Sequence, residues 1–199
     1  MGAGVPRPPF RLARVVGEGP LGATLAVALR ARAAAREVDL VTGDHDAARC
    51  AAERGIAAAA RASLLAGDPD AVFLTGPDAT TEAGFAEWAR RAPGSLLQEV
   101  AAAPGADPEA AARACARCPG LLLVTARPQR APAAGDAPAE SFLGIPVTLC
   151  APEGVPPTAL AAAERAWRLL GAEPERGAPA AWDPAAPRPR LEGGPPACV

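Results

Sequence analysis

The stretch Val15-Val16-Gly17-Glu18-Gly19-Pro20-Leu21-Gly22 decides the fold. It is a G-x-G-x-x-G set directly after an apolar run, Leu12–Val16, and at the head of an Ala- and Leu-rich run, Leu21–Arg36. The spacing has a physical purpose. Gly17 permits a tight turn, Gly19 lets a pyrophosphate approach the backbone, and Gly22 allows the helix to pack closely on the strand. From Gly19 through Pro20 and Leu21 to Gly22 the chain opens a helix, whose free N–H groups and positive dipole end would face the phosphates. The strand–turn–helix setting gives the motif its weight. The plainer reading of the same residues is a glycine-rich turn that no longer holds a nucleotide. A carboxylate at Glu18 suits a pyrophosphate only if it turns to solvent.

Outward from this loop, strand-like segments alternate with Ala-rich helical ones. The strands are expected at Leu12–Val16, Val38–Thr42, Ala71–Thr75, Ser95–Val100, Leu121–Thr125 and Pro146–Cys150, with a short strand or turn at Ser63–Leu65. The helices are expected at Leu21–Arg36, Asp46–Arg54, Glu82–Ala92, Pro108–Cys118 and Pro157–Leu170. Alternation of this kind predicts an α/β fold, Rossmann-like and doubly wound, with a mainly parallel sheet of about six strands in a three-layer αβα arrangement. Residues 1–10, the segment Arg127–Glu140 with its three Pro, and the tail from Pro174, with seven Pro in 26 residues, carry no such period. They are expected to be unstructured, leaving one dinucleotide-binding domain over 11–174 and a Pro-rich tail over 175–199.

An acid at the end of the second strand ordinarily reads the ribose of a dinucleotide. Here Val38–Thr42 is followed by Gly43-Asp44-His45-Asp46. Asp44 is the candidate for the ribose diol. Thr42 is an alternative that would tolerate a 2′-phosphate, but the two nearby Asp would repel one, so the balance favours NAD over NADP. Helix capping is the competing role for these Asp, Asp46 in particular.

Composition removes other classes. The 199 residues include 53 Ala and 20 Arg with no Lys, Asn or Tyr, and only 41 large apolar residues, yet the net charge is just −2. Disorder of the whole chain would need a higher charge. The basic residues are scattered among 22 acids, so no basic stripe favours nucleic acid. No apolar run reaches the ~20 residues of a membrane span. The N-terminal residues lack the apolar region of an export signal, so a cytoplasmic location is the expectation. An odd number of Cys, five, fits free thiols. Cys115-Ala116-Arg117-Cys118 is a C-x-x-C, but it closes a helix and has neither a second pair nor a spaced His, so no metal site is expected. Trp88 and Trp167 read as core or interface anchors, and Arg90-Arg91 as a solvated helix end.

From Leu12 to Pro174 the sequence resembles the prephenate and arogenate dehydrogenases. The resemblance rests on VVGEGPLGATLAVALR, AERGI (Ala52–Ile56), AVFLTGP (Ala71–Pro77), SLLQEV (Ser95–Val100) and PVTLCAPEGVPPTALAAAERAWRLLGAEP (Pro146–Pro174) in that order. It implies an NAD(P)-binding Rossmann domain and oxidation of a cyclohexadienyl acid with loss of CO₂. It also places Thr75, Gly76 and Pro77 near the nicotinamide. In such chemistry a neutral His takes the substrate hydroxyl proton as hydride leaves.

The sequence departs from that pattern at two strand ends. Where the family has an Asp-Val-Gly-Ser-Val-Lys-like run, this chain has Glu99-Val100-Ala101-Ala102-Ala103-Pro104. Where the family has His-Pro, this chain has Arg127-Pro128, and a guanidinium stays protonated. Arg127 is instead a candidate for binding a substrate carboxylate, against the plainer reading of a solvated loop arginine. No catalytic base is assigned, because the single His, His45, lies in the nucleotide half. The family's helical dimerisation domain has no counterpart in the sequence, whose expected partners are a small carboxylic acid and either a second copy of the chain or a separate helical protein.

Overall fold

The computed structural model describes residues 8–76, 79–100, 108–129 and 138–177. Eight strands form one sheet: β1 (Phe10–Val16), β2 (Ala35–Val41), β3 (Ala57–Ala59), β4 (Ala71–Leu74), β5 (Leu96–Val100), β6 (Leu122–Pro128), β7 (Pro146–Cys150) and β8 (Glu173–Arg176). Their order is β3-β2-β1-β4-β5-β6-β7-β8. All neighbours are parallel except β6 and β7, which run antiparallel. The reversal of winding falls between β1 and β4, the position at which doubly wound sheets open a crevice for ligands.

Five helices cover the sheet: α1 (Pro20–Ala31), α2 (His45–Glu53), α3 (Glu82–Arg91), α4 (Pro108–Arg117) and α5 (Pro157–Leu169). Strand alternation sends side chains to two separate cores. Ala13, Val15, Phe73 and Val124 pack with Leu25 and Leu29 of α1 and Trp167 of α5 on one face. Val72, Leu74, Leu97 and Leu123 meet Phe85 and Trp88 of α3 and Ala114 of α4 on the other. With so many Ala at the contacts, the large residues carry the burial. Trp167 is fully buried, stacks edge-on to Phe142 at 5.5 Å and donates from Nε1 to Gln98 Oε1 at 3.0 Å. Both Trp named from the sequence are thus core residues. Arg91 at the end of α3 pairs with Glu87 and lies over the Trp88 ring.

The Rossmann-like, doubly wound, three-layer reading holds, with corrections. The sheet has eight strands where about six were expected. Both extra strands are edges without a strand-like sequence: Ala57–Ala59 lacks any large residue, and Glu173–Arg176 carries a Pro, which an edge tolerates. The first helix ends at Ala31 rather than Arg36, because Ala33 takes a left-handed φ of 52° and Ala35 already pairs with Phe10 in the sheet. Ser63–Leu65 falls on a 3₁₀ turn, Ala62–Leu64. Arg127 and Pro128 extend β6, and Pro138–Glu140 forms another 3₁₀ turn, so that segment is not wholly irregular. Regular structure begins at Phe10 and continues to Arg176, across both expected edges of the domain. Among the described residues, no helix is long and apolar enough to cross a membrane, and Cys50, Cys115, Cys118 and Cys150 form no disulfide with one another.

Candidate functional site

The glycine loop joins β1 to α1 at the carboxyl end of the sheet. Gly17 N–H donates to the Val41 carbonyl at 3.0 Å, tying the loop to the end of β2. On its other side, Thr75 N–H donates to the Val16 carbonyl at 2.8 Å and Thr75 Oγ1 to the same carbonyl at 3.1 Å. The loop is therefore held between the ends of β2 and β4, the two strands that flank β1. A β-carbon built on Gly17 would enter the radius of Thr75 Oγ1 and stand 2.8 Å from Gly76 N, and φ at Gly17 is +149°. Only glycine fits there.

Gly19 differs. It is the N-cap of α1 with φ 80° and ψ −173°, and a β-carbon built on it meets nothing within 4 Å. No side chain caps α1, and Pro20 fills its first turn. Its free backbone N–H groups and dipole end therefore face an open position, the environment in which a pyrophosphate is bound. Gly22 packs closely, a β-carbon there lying 3.1 Å from Thr75 Oγ1 and 3.2 Å from the Gly17 carbonyl. Gly17, Gly19, Pro20, Leu21 and Gly22 are brought together as the spacing predicts.

Three other sequence candidates, Thr75, Asp44 and Thr42, take up structural duties. Thr75 and Gly76 do reach the loop, but the Thr75 hydroxyl points inward to Val16 and braces it. Pro77 lies outside the described residues. Asp44 is the N-cap of α2, its Oδ1 accepting from Asp46 N–H at 2.9 Å and Ala47 N–H at 3.1 Å. Capping thus falls to Asp44, whereas Asp46 pairs with Arg49 at 3.0 Å. Thr42 is buried, and its Oγ1 accepts from Asp44 N–H at 3.1 Å. The end of β2 is a network that shapes the turn into α2.

Sequence reasoning passed over two features here. Arg14 of β1 and Asp39 of β2 are register partners and form a buried ion pair at 2.8 Å, with Arg14 also donating to the carbonyls of Ala66 and Gly67. The pair fastens the 62–67 segment to the sheet, and its signal, two charges inside strand patterns, was visible. The other feature is the reach of Glu18. Its Oε1 lies over Gly43, 2.7 Å from where a β-carbon on Gly43 would stand. Nothing in the sequence spacing of 18 and 43 announces this approach.

The other half of the carboxyl end is built by β5, β6 and β7. Glu99, 1% exposed, lies opposite Thr125, and Arg127 lies opposite Thr148 across the antiparallel pair. Thr125 Oγ1 donates to the Cys150 carbonyl at 3.3 Å. Burial pushes the Cys150 thiol up, opposed by the Arg127 charge and by a hydrogen bond from the Gly177 backbone, so the guanidinium is close enough for its field to be felt there. Arg127 is half-buried at a strand end and not on a solvated loop. His45 heads α2, beyond β2, with β1, β4 and β5 between that strand and β6. Ala101–Pro104 lie outside the described residues.

No protein-family model matches the sequence, and no curated protein is significantly similar to it. Solved structures do share the fold. Prephenate dehydrogenase from Aquifex aeolicus in complex with hydroxyphenyl propionate and NAD⁺ superposes with a TM-score of 0.69 at 17% identity, covering 86% of this chain and 61% of that one. Synechocystis arogenate dehydrogenase gives 0.67 at 25% identity, with 85% and 60% covered. The 3-hydroxyisobutyrate dehydrogenase of Mycobacterium tuberculosis gives 0.62 at 16% identity, with 84% and 54% covered. The chain spans about three fifths of the length of the first two. The resemblance to prephenate and arogenate dehydrogenases is borne out in the fold, which is that of dinucleotide-binding dehydrogenases and reductases.

Proposed function

We propose that the chain binds a nicotinamide dinucleotide at the start of α1, NAD in preference to NADP, and serves hydride transfer on a small carboxylic acid. The observation that carries this reading is the contrast between Gly17, locked against Thr75 and Gly76, and Gly19, open at the uncapped helix terminus. A turn kept only for packing has no need of a half-buried glycine at positive φ whose β-carbon position is open at the helix mouth. Gly19, Pro20, Leu21 and Gly22 would hold the pyrophosphate, and the bound nicotinamide would supply the hydride acceptor. Arg127, with a fixed charge at the end of β6, would bind the substrate carboxylate and orient it.

Turnover of prephenate itself is not expected. Arg127 occupies the strand end where the resemblance places a His, and a guanidinium cannot take the hydroxyl proton. The same observation favours a second reading, a dinucleotide-binding protein without dehydrogenase activity. Calorimetric titration with NAD⁺, NADH, NADP⁺ and NADPH tests the shared part. Binding of one or more supports the proposal, and no heat from any of the four at millimolar concentration overturns it. With binding in hand, the absorbance of reduced nicotinamide across a panel of small hydroxy and cyclohexadienyl acids separates the two readings: its appearance with any of them supports hydride transfer, and its absence with all supports the second reading.

A further inference from the structure

We propose that Glu18, and not Asp44, is the carboxylate that reads the adenosine ribose, accepting from its 2′- and 3′-hydroxyls and rejecting a 2′-phosphate. This rests on the dinucleotide reading above and names the residue that sets its preference. In a fold of this kind the pyrophosphate lies at the N-terminus of the first helix and the ribose is read at the end of the second strand. The ribose-reading group must therefore stand between those two points. Glu18 does so: it precedes the N-cap of α1, is exposed, and carries its Oε1 over Gly43, the second residue past β2.

The acid expected from the sequence is otherwise occupied. Asp44 spends Oδ1 on two backbone N–H groups of α2, which fixes its carboxyl against that helix. Thr42 is buried and accepts from Asp44 N–H. Glu18 has the reverse character, an exposed carboxylate in a loop that Gly17 and Thr75 hold rigid. Gly43 completes the arrangement. Its φ is not positive, so the backbone does not require glycine, but any β-carbon would stand 2.7 Å from Glu18 Oε1. The missing side chain at Gly43 is what leaves room for the carboxylate.

The chemistry follows from charge. An ionised carboxylate only accepts hydrogen bonds, so a vicinal diol satisfies it, while a phosphate dianion in the same place is repelled. It also resolves the conflict of an acid beside a phosphate site, since the charge is carried sideways to the ribose.

The test is calorimetry of the full chain with NAD⁺ and NADP⁺, comparing wild type with E18Q, G43A and D44N, each checked for an unchanged thermal midpoint or corrected for it. Loss of a charge-assisted hydrogen bond predicts that E18Q lowers the NAD⁺ to NADP⁺ affinity ratio by roughly tenfold or more. G43A, which displaces the same carboxylate without removing it, should move the ratio the same way, and D44N should leave it within about twofold. An unchanged ratio in E18Q and G43A, or a collapse of the ratio in D44N alone, overturns the assignment while leaving the dinucleotide site standing. Failure of wild type to bind either nucleotide overturns both.

Discussion

Replacing Gly17 and Gly19 separately by Ala should divide stability from binding. Both residues hold positive φ, so either Ala pays backbone strain of about 1–3 kcal/mol. At Gly19 that is the whole cost, because its β-carbon enters open space. At Gly17 the β-carbon meets Thr75 Oγ1 and lies 2.8 Å from Gly76 N. Forcing atoms into such a contact adds about 1–3 kcal/mol. Displacing Thr75 also endangers its hydroxyl bond to Val16, worth about 1 kcal/mol. G17A should therefore be less stable than G19A by about 2–4 kcal/mol, which for a domain of this size puts its thermal midpoint roughly 4–16 °C lower. Nucleotide affinity should respond in the opposite order. In folded protein, G19A places a methyl group where the pyrophosphate must approach, and loss of one or two charge-assisted bonds predicts a fall of roughly 10- to 100-fold. Removing the hydroxyl relieves part of the clash, so G17A/T75A should be less destabilised than the two single variants summed. Thermal melts and calorimetry on wild type, G17A, G19A, T75A and G17A/T75A supply the numbers. If G19A melts as low as G17A, or binds nucleotide as wild type does, the division of labour between the two glycines is refuted.

Three further outcomes are expected. Breaking the buried Arg14–Asp39 pair with R14M should cost about 3–5 kcal/mol, and the double variant R14M/D39L should lose less than R14M alone, because no charge is then left buried and unpaired; denaturant melts decide. Glu82 is held below the usual carboxylate range by hydrogen bonds from Arg117 and then Arg113, which link α3 to α4. A depressed carboxyl contributes stability above its unfolded value and loses it as pH falls through the folded one. The midpoint difference between wild type and E82Q should thus be constant near neutrality and vanish on the acid limb, and salt should shrink it. Burial pushes the thiols of Cys115 and Cys150 up, so mass-spectrometric mapping should find both alkylated more slowly at neutral pH than an unstructured peptide thiol.

Much of the fold was legible because strands and helices alternate and the glycine loop marks their start. What escaped was written in alanine. Arg32–Arg36 reads as helix because Ala has the strongest helix propensity, yet the sheet claims Ala35, and the chain accepts a left-handed Ala33 to turn back. Ala57–Ala59 has no side chain that could announce a strand, and it exists because the β2 edge offers backbone partners. Edge pairing of this kind depends on a neighbour and leaves no periodic trace in its own residues.

The site was legible where backbone geometry sets residue type and obscure where side chains choose among neighbours. Gly17, Gly19 and Gly22 follow from spacing alone. Thr75, Asp44 and Glu18 do not, since each role depends on which atoms another loop brings near: Thr75 braces, Asp44 caps, and Glu18 crosses to Gly43. The sheet order carries a consequence for chemistry as well. From β2, which leads into α2 and His45, to β6, which ends at Arg127, the sheet advances four strand spacings, about 19 Å at ~4.8 Å each. His45 cannot serve a substrate held by Arg127 across that span. Among the described residues at the ends of β5 and β6, Glu99 is the one ionisable side chain able to take a proton, and it is buried. Glu99 is thus the candidate base for hydride transfer at this site, and E99Q tests that role. It should abolish any turnover if the chain is a dehydrogenase, while leaving nucleotide affinity at α1 intact under either.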